Sequence, residues 1–479
     1  MRVYLLHSNE PTLHLLLERI HLPHGTQLPA QHAQSCIIHW GCFHAAKAGR
    51  LSFQPVKCML RAASPRKSAE LLKLHGIHLA SESEKPSLRF SYEYLIPVFH
   101  LQALALFQKS QTVFFGSKRP LQKAEEPDFT EVLAETPSYH AVRAKREAVK
   151  AIYALGLDYG VVKVGVLPNG ELVVLEVNAV PKLTDRLAEL FAEAMHQLEQ
   201  ELAHDDPESR QEAMLGADPE FLLRNERGKV VFASNYMEKE GPIGCDAIVL
   251  PSFRKIYPLA ELRPEPSKDI KQMIINLHRT MQMASRRITD GSLEWIAGGM
   301  PVRGFPLGGH IHFSGIPLSG ELLRVLDNYL ALPLVLLEDA TTGNRKPQYG
   351  FLGDFRRQRH GGFEYRVLPS WMISPSIARG VLTMAKLIAD HYRHLPARPL
   401  DEQDMQEAYY AGDKKAIRPL VPSLWGDLVR LRDFRQYEPY LIPLKNRLLR
   451  MESWNEQEDI RRNWKIGPFH RKEESPVNS

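Results

Sequence analysis

Four stretches in the second half of the chain alternate apolar and polar residues with the two-residue period of a half-buried β-strand. In Leu215-Gly-Ala-Asp-Pro-Glu-Phe-Leu-Leu223, residues Leu215, Ala217, Phe221 and Leu223 point one way, while Asp218 and Glu220 share the other face. Tyr257 to Pro266, read as extended, sets Glu261, Arg263 and Glu265 on one face with Leu262 opposite. Its prolines put that strand at an edge or end it early. Leu307-Gly-Gly-His-Ile-His-Phe-Ser-Gly315 opposes His310, His312 and Ser314 to Ile311 and Phe313. Phe363-Glu-Tyr-Arg-Val-Leu368 opposes Glu364 and Arg366 to Phe363, Tyr365 and Val367. Between these strands the helical period predicts helices over 269–288 and 321–338, and from Ser374 or Ser376 to about 395. Helix resumes at Asp401, with breaks at Pro419 and Pro422.

The first half patterns differently. Val3–Leu6 and Cys36–Trp40 read as short buried strands, and Ser64 to His75 as a helix stopped by Gly76. Arg89 to Lys109 suggests a pair of strands, and Ser138 to Leu155 an amphipathic helix stopped by Gly156. Val161 to Val177 reads as a hairpin turning at Asn169-Gly170, and Thr184 caps a long helix to about Leu202. His204 to Gln211 is polar, carries Pro207, and is the best linker in the sequence. The expected division is therefore a domain over 1–200, a linker over 201–212, a second domain over 213–450, and a tail over 451–479 with a disordered end.

At 479 residues the chain is too long for one ordinary core. A hydrophobic content of 44% and a charged content of 24% are those of a soluble globular protein. A net charge of +5, without a dense Lys/Arg run, argues against nucleic acid as a partner and admits a small polyanion such as ATP. Cys36, Cys42, Cys58 and Cys245 show no C-x-x-C spacing, which excludes a thiolate zinc site and a disulfide framework and fits a reducing cytoplasm. The apolar run after Met1 is too short for a secretory signal. The longest apolar run, Tyr329 to Leu337, is about half a membrane span and holds Pro333. The expectation is a cytoplasmic protein with no membrane partner.

Gathered into one sheet, the four polar faces would bury unpaired charge at high cost unless they held ligands. Divalent cations with bound phosphates are the economical choice, since hard cations such as Mg²⁺ take oxygen ligands. Salt bridges across the face, or acids solvated at an edge, fit the same pattern. Two histidines at i and i+2 serve equally as zinc ligands, phosphate donors or partly exposed residues. Arg356, Arg357 and Arg359 form the most basic stretch of this half, and Arg357 and Arg359 read as part of a solvated loop.

The order and wording of these motifs resemble the carboxylate–amine ligase superfamily that includes glutamine synthetase and glutamate–cysteine ligase. GADPEFLL resembles the GPEPEFFL strand of glutamine synthetase, GGHIHFSG its GMHxHxS strand, and FEYRV its RIEFR strand. With ELRPEPS and RKPQYG…GGFEYRVLPS added, residues 214–395 are most similar to the phage-type COOH-NH2 ligase type 2 amidoligases. The resemblance implies an α/β (α+β), glutamine synthetase-like catalytic fold, an antiparallel-rich sheet with helices on one side. It implies a metal cluster of Asp218, Glu220, Glu261, His310 and Glu364. Arg366 and Arg345 would contact phosphate in catalysis, Arg366, His312 and Arg356 would bind the nucleotide, and Glu265 would stand in a second line with His312. Glutamine synthetase carries Glu where Asp218 stands, which leaves the metal distance there open. The implied activity is amide formation dependent on ATP and Mg²⁺ or Mn²⁺, through an acyl phosphate. Its substrates would be a small-molecule or peptide carboxylate and an amine.

In the first half, Leu155 to Val166 and Val173-Val-Leu-Glu-Val-Asn-Ala-Val-Pro181 resemble the closing motif of ATP-grasp enzymes, in which the Glu and Asn of LEVN bind Mg²⁺. Those positions are Glu176 and Asn178. Lys163 stands where the family has its other metal-binding acid, and only the short stretch near Ser81 to Arg89 stands where it inserts a nucleotide-gripping subdomain. The likeness implies a degenerate ATP-grasp unit with a scaffold or substrate-presenting role. Two other readings remain: a metal-dependent hydrolase using the same His and acid cluster, and a non-catalytic binding or coat protein of two decayed ligase domains.

Overall fold

Alternation of period two and runs of period 3.6 both become regular structure in this chain, and they sort into two bodies. The computed structural model describes residues 2–32, 35–41, 51–109, 129–133, 137–203, 212–250, 254–359 and 361–467. One compact unit runs to residue 209 and the other begins at residue 210. The polar stretch 204–211 and the end of the chain after 467 lie outside the described residues.

Among its described residues the first unit is built from two sheets. The buried strands Val3–His7 and Cys36–Trp40 pair in parallel, flanked by His24–Gly25 and Leu51–Phe53. The second sheet is antiparallel, in the order Leu172–Asn178, Tyr159–Val166, Tyr92–Phe99, Phe107–Lys109, Phe129–Glu131. Its hairpin turns where expected, with Gly170 at a φ of +82° that a side chain would strain. Ser138 Oγ accepts the Ala141 N–H at 3.2 Å and caps the helix Tyr139–Ala154. The helix Asp185–Ala203 buries Phe191, Met195 and Leu198 in the core beneath Trp40 and Tyr159.

The second unit is organised on an eight-stranded antiparallel sheet whose central strand is Met214–Arg224. Beside it on one side lies Lys255–Leu262, followed by Ile243–Val249. On the other side come Gly309–Ser314, Phe363–Tyr365 and the edge strand Phe355–Arg357. Glu294–Ile296 and Val230–Val231 pair with the C-terminal half of the central strand. The apolar alternates Leu215, Phe221, Ile311, Phe313 and Phe363 are essentially fully buried, and Phe313 stacks on Phe363 at 5.1 Å between ring centroids. The helix Ile270–Arg287, capped by Asp269 Oδ1, packs on the central strand and its neighbours through Met273, Leu277 and Met281. Pro375–His391, capped by Ser374, packs on that helix in turn. No helix among the described residues is long and apolar enough to cross a membrane.

The strand holding Glu261 ends early, the second of the two outcomes its prolines predict: it is interior to the sheet and stops at Leu262, just before Pro264. The structure corrects several expectations. The helix expected over 321–338 is regular only over Gly320–Leu326, widens into a π turn at Asp327–Ala331, and resumes for Leu332–Leu334. The widened turn immediately precedes Pro333, which has no N–H to continue the α-helical ladder. Residues 355–357 form a strand, not a loop, because Arg356 and Arg357 face Glu364 and Phe363 across a hairpin. The tail is the largest correction: residues 451–467 fold into the second unit, with Trp454, Ile460 and Trp464 buried and the short helix Ile460–Trp464 capped by Asp459.

Candidate functional site: an acid and histidine face

Strand register decides which of the polar side chains meet. Asp218 pairs with His310, and Gly216 with His312. Glu220 pairs with Glu261 on the opposite side, and His312 with Glu364 one strand further on. Residues that pair across a sheet project from the same face, so all of these emerge together. Leu222, Leu259, Ile296 and Leu307 form an apolar cluster that continues the face beyond Glu220 and Glu261. With that wall on one side, Asp218, Glu220, Glu261, His310 and Glu364 are all buried, and His312 keeps 30% of its side chain exposed at the opening.

The distances show a convergence without closure. His310 Nδ1 lies 3.1 Å from Asp218 Oδ1 and 3.2 Å from Glu364 Oε1, and His312 Nε2 lies 3.2 Å from Asp218 Oδ2. Yet Asp218 Oδ1, His310 Nδ1 and His312 Nε2 are buried atoms that no directed hydrogen bond satisfies. These contacts are electrostatic, with several lone pairs aimed at one small volume. One ligand atom each from Asp218, His312 and Glu364 lies within 4.8 Å of the others, a spread that a single cation bound at about 2.0–2.6 Å can span.

Charge balance points the same way. Burial first, and then the neighbouring Asp218 charge, push the Glu261 carboxyl up to about 10 despite its ion pair with Arg263. Burial, aided by Asp246 and Asp218, pushes Glu220 up to about 7, although the Gly308 N–H donates to its Oε2 at 2.7 Å. Burial also opposes the charge on Asp218, but His310 and His312 outweigh it and hold that carboxyl well below its ordinary range. For His310, burial works against protonation while Asp218 more than offsets it, so the imidazole titrates above its ordinary value. Acids packed this closely in a low dielectric do not all ionise without an added positive charge. The donor set, carboxylates with one or two imidazoles, suits a divalent cation.

Positive side chains gather at the Glu364 end. Arg366 is ion-paired with Glu364, and Arg356 Nη1 lies 3.4 Å from Glu364 Oε2 with its side chain more than half exposed. Gln358 Nε2 donates to the same Oε2 at 3.3 Å. Arg345 is 2% exposed; its Nη1 donates to the Val367 carbonyl at 2.9 Å, while its buried Nε has no hydrogen-bond partner among the described residues and the guanidinium feels the Glu220 charge. Glu265 lies past the end of its strand, is exposed, and does not join the face. Asp246 was not singled out by the sequence. It sits on Ile243–Val249 opposite Leu259, on the same face as Glu261, and adds to the charge felt by Glu220. The alternation Ile243-Gly-Cys-Asp-Ala was its signal, blurred by an irregularity between Asp246 and Ile248.

In the first unit, Glu176 and Asn178 do not form a comparable centre. Lys163 Nζ lies 2.8 Å from Glu176 Oε2, and Asn178 Oδ1 accepts the Val180 N–H at 3.1 Å. The positive charge a cation would bring is already supplied by the lysine, from the directly paired position on the neighbouring strand.

The family described as phage phiEco32-like COOH.NH2 ligase-type 2 matches residues 215–466, just over half of the chain. No curated protein matches the chain in sequence. Among solved structures, the ATP-grasp ligase PsnB complexed with a minimal precursor aligns at 11% identity over 41% of this chain and 99% of its own, with a TM-score of 0.30. A bifunctional glutathione synthetase from Pasteurella multocida aligns at 13% identity over 53% of this chain, with a TM-score of 0.34. Only 48% of that synthetase is covered. A D-alanine–D-alanine ligase from Bacillus anthracis complexed with ATP aligns at 11% identity over 42% of this chain and 99% of its own, with a TM-score of 0.29.

Proposed function

The chain belongs to the phage phiEco32-like COOH.NH2 ligase-type 2 family, and we propose that its second unit is an ATP- and Mg²⁺-dependent amide-forming ligase acting through an acyl phosphate. The observation that carries this reading is the convergence of Asp218, His312 and Glu364, from three adjacent strands, on one volume. Asp218, Glu220, Glu261, His310, His312 and Glu364 would hold the divalent cations, with Asp246 beside them. When bound, those cations neutralise nucleotide phosphates and ease transfer of the γ-phosphoryl group to a carboxylate. The resemblance of these sequence motifs, in their order along the chain, to strands of glutamine synthetase supports this assignment.

The chain's own residues supply the rest. Arg366 is held at the rim by its ion pair with Glu364 and stands where charge would build on a transferring phosphoryl group. Arg356, on the edge strand, brings a mostly exposed guanidinium close to the same position. The apolar wall of Leu222, Leu259, Ile296 and Leu307 lowers the local dielectric, which strengthens each of these interactions. Attack by an amine on the acyl phosphate then gives the amide and releases phosphate. Arg345 steadies the backbone next to Arg366 through the Val367 carbonyl, and its unpartnered Nε leaves it a donor for phosphate.

The test is incubation of the full chain with Mg²⁺ and ATP against a panel of amino acids and short peptides, reading ADP and new amide masses. ADP formed only when a carboxylate and an amine are both present supports the ligase, and Glu364→Gln should abolish it. Hydrolysis of a substrate without ATP consumption would favour a metal-dependent hydrolase on the same cluster. For the first unit, the Lys163–Glu176 pair favours a degenerate ATP-grasp body with a scaffold or substrate-presenting role.

A further inference from the structure

Glu456 lies in the segment that sequence patterning leaves as a tail, and it is fully buried. Its Oε1 accepts the Gly299 N–H at 2.6 Å, the Thr342 hydroxyl at 2.6 Å and the Trp454 indole N–H at 3.2 Å. Its Oε2 accepts the Met300 N–H at 3.0 Å and the Thr341 hydroxyl at 2.8 Å. A carboxylate offers about four lone-pair directions, so these donors saturate it. Among the described residues no cation pairs with it, and the site is made entirely of neutral donors.

Both turns it grips lead directly to the acid and histidine face. From the first, the Gly299 carbonyl accepts the Leu307 N–H at 2.8 Å, and the next residue, Gly308, donates to Glu220 before the strand of His310 begins. From the second, the turn Ala340–Arg345 ends at the arginine whose Nη1 holds the Val367 carbonyl, one residue past Arg366. The glycines of the first turn are shaped to the carboxylate. Gly298 has a φ of +121°, and a Cβ there would fall 2.3 Å from Glu456 Cδ. A Cβ on Gly299 would fall 2.6 Å from Thr342 Cγ2. Trp454, Ile460 and Trp464 already bury the segment, so anchoring it did not require an anion.

We propose that Glu456 is a positioning residue of this face: from the C-terminal segment it clamps together the turn that delivers Gly308 to Glu220 and the turn that delivers Arg345 behind Arg366. The proposal rests on the cation-binding reading of the face for its functional consequence, but not for its geometry.

The experiment uses the full chain, with amide hydrogen exchange read by mass spectrometry and Mn²⁺ affinity read by electron paramagnetic resonance. Glu456→Gln places an amide NH₂ against donors and should speed exchange at least tenfold in peptides covering 298–310 and 340–346. The helix Ile270–Arg287 should exchange at its normal rate. Mn²⁺ affinity should fall at least tenfold. Leu441→Ala, a core truncation in the helix Phe434–Arg450, controls for lost stability and should change neither readout. Should Glu456→Gln fail to fold, Thr342→Val carries the test with a smaller effect in the same direction, and Thr342→Ser, which keeps the hydroxyl, should restore wild-type behaviour. Lower thermal stability with both readouts within twofold of wild type would overturn the clamp. A wild-type chain that binds no Mn²⁺ would sink the cation reading of the face, and the exchange data would still decide the clamp.

Discussion

Removing one charge from the metal-free face should make the protein more stable, and Glu220→Gln is the cleanest way to do it. The amide is isosteric and its oxygen can still accept the Gly308 N–H, so packing is retained. In the folded chain Glu220 titrates near 7, against an ordinary 4.5, because it is buried among Asp246 and Asp218. A carboxyl whose folded value is raised binds more protons folded than unfolded between those limits, so stability falls as pH rises from about 4.5 to 7. Above that window the full penalty applies, about 3 kcal/mol at about 1.4 kcal/mol per pH unit. For a body of this size that corresponds to a Tm rise of about 5–10 °C on substitution. The assay is thermal unfolding in a chelator at pH 8 and at pH 4.5, then at pH 8 with Mn²⁺. The gain should be present at pH 8 and absent at pH 4.5, while stabilisation by Mn²⁺ should shrink in the variant. A variant no more stable than wild type at pH 8, or equally stabilised at both values, would refute the claim that this face stores uncompensated charge.

Three further outcomes follow from the same geometry. Gly309→Ala drives a Cβ to 2.4 Å from the Pro369 carbonyl and 2.6 Å from the Trp371 ring, so urea unfolding should show a loss of about 2–3 kcal/mol; a change below about 0.5 kcal/mol would contradict the close approach of those strands. Asp246→Asn should weaken Mn²⁺ binding about fivefold or more while leaving the circular dichroism spectrum unchanged, and unchanged affinity would remove Asp246 from the face. Lys163→Ala breaks an ion pair whose two side chains are both about two-fifths exposed, so it should cost less than about 0.5 kcal/mol. Nucleotide affinity of the full chain should stay at the wild-type value, and a clear drop would show that the first unit binds ATP after all.

The polar face was legible because each of its members lies on a strand whose other face is apolar, and period two is readable one strand at a time. Phe363, Tyr365 and Val367 announce Glu364 and Arg366 without any knowledge of the neighbours. Register was not legible. Nothing local says that Asp218 meets His310 while Glu220 meets Glu261, or that Asp218, His312 and Glu364 each bring a ligand atom within 4.8 Å of the others. The surroundings of Arg345 were not legible for a related reason: only the fold shows that its Nη1 holds the carbonyl of Val367.

Glu456 marks the limit of such reading. The stretch around it, Glu452-Ser-Trp-Asn-Glu-Gln-Glu-Asp459, has the composition of a solvated tail, and its five donors are backbone, hydroxyl and indole groups that carry no charge signal. A polar residue is recognisable from sequence when its partner is a titratable group or when its neighbours alternate. It is invisible when its partners are peptide N–H groups more than 150 residues away. The same physics explains why such a residue can matter: a buried carboxylate met only by neutral donors must have all of them in place, so two distant turns are held to one geometry. The acid and histidine face is displayed by alternation, whereas the contacts of Glu456 behind it are written only in the closure of loops.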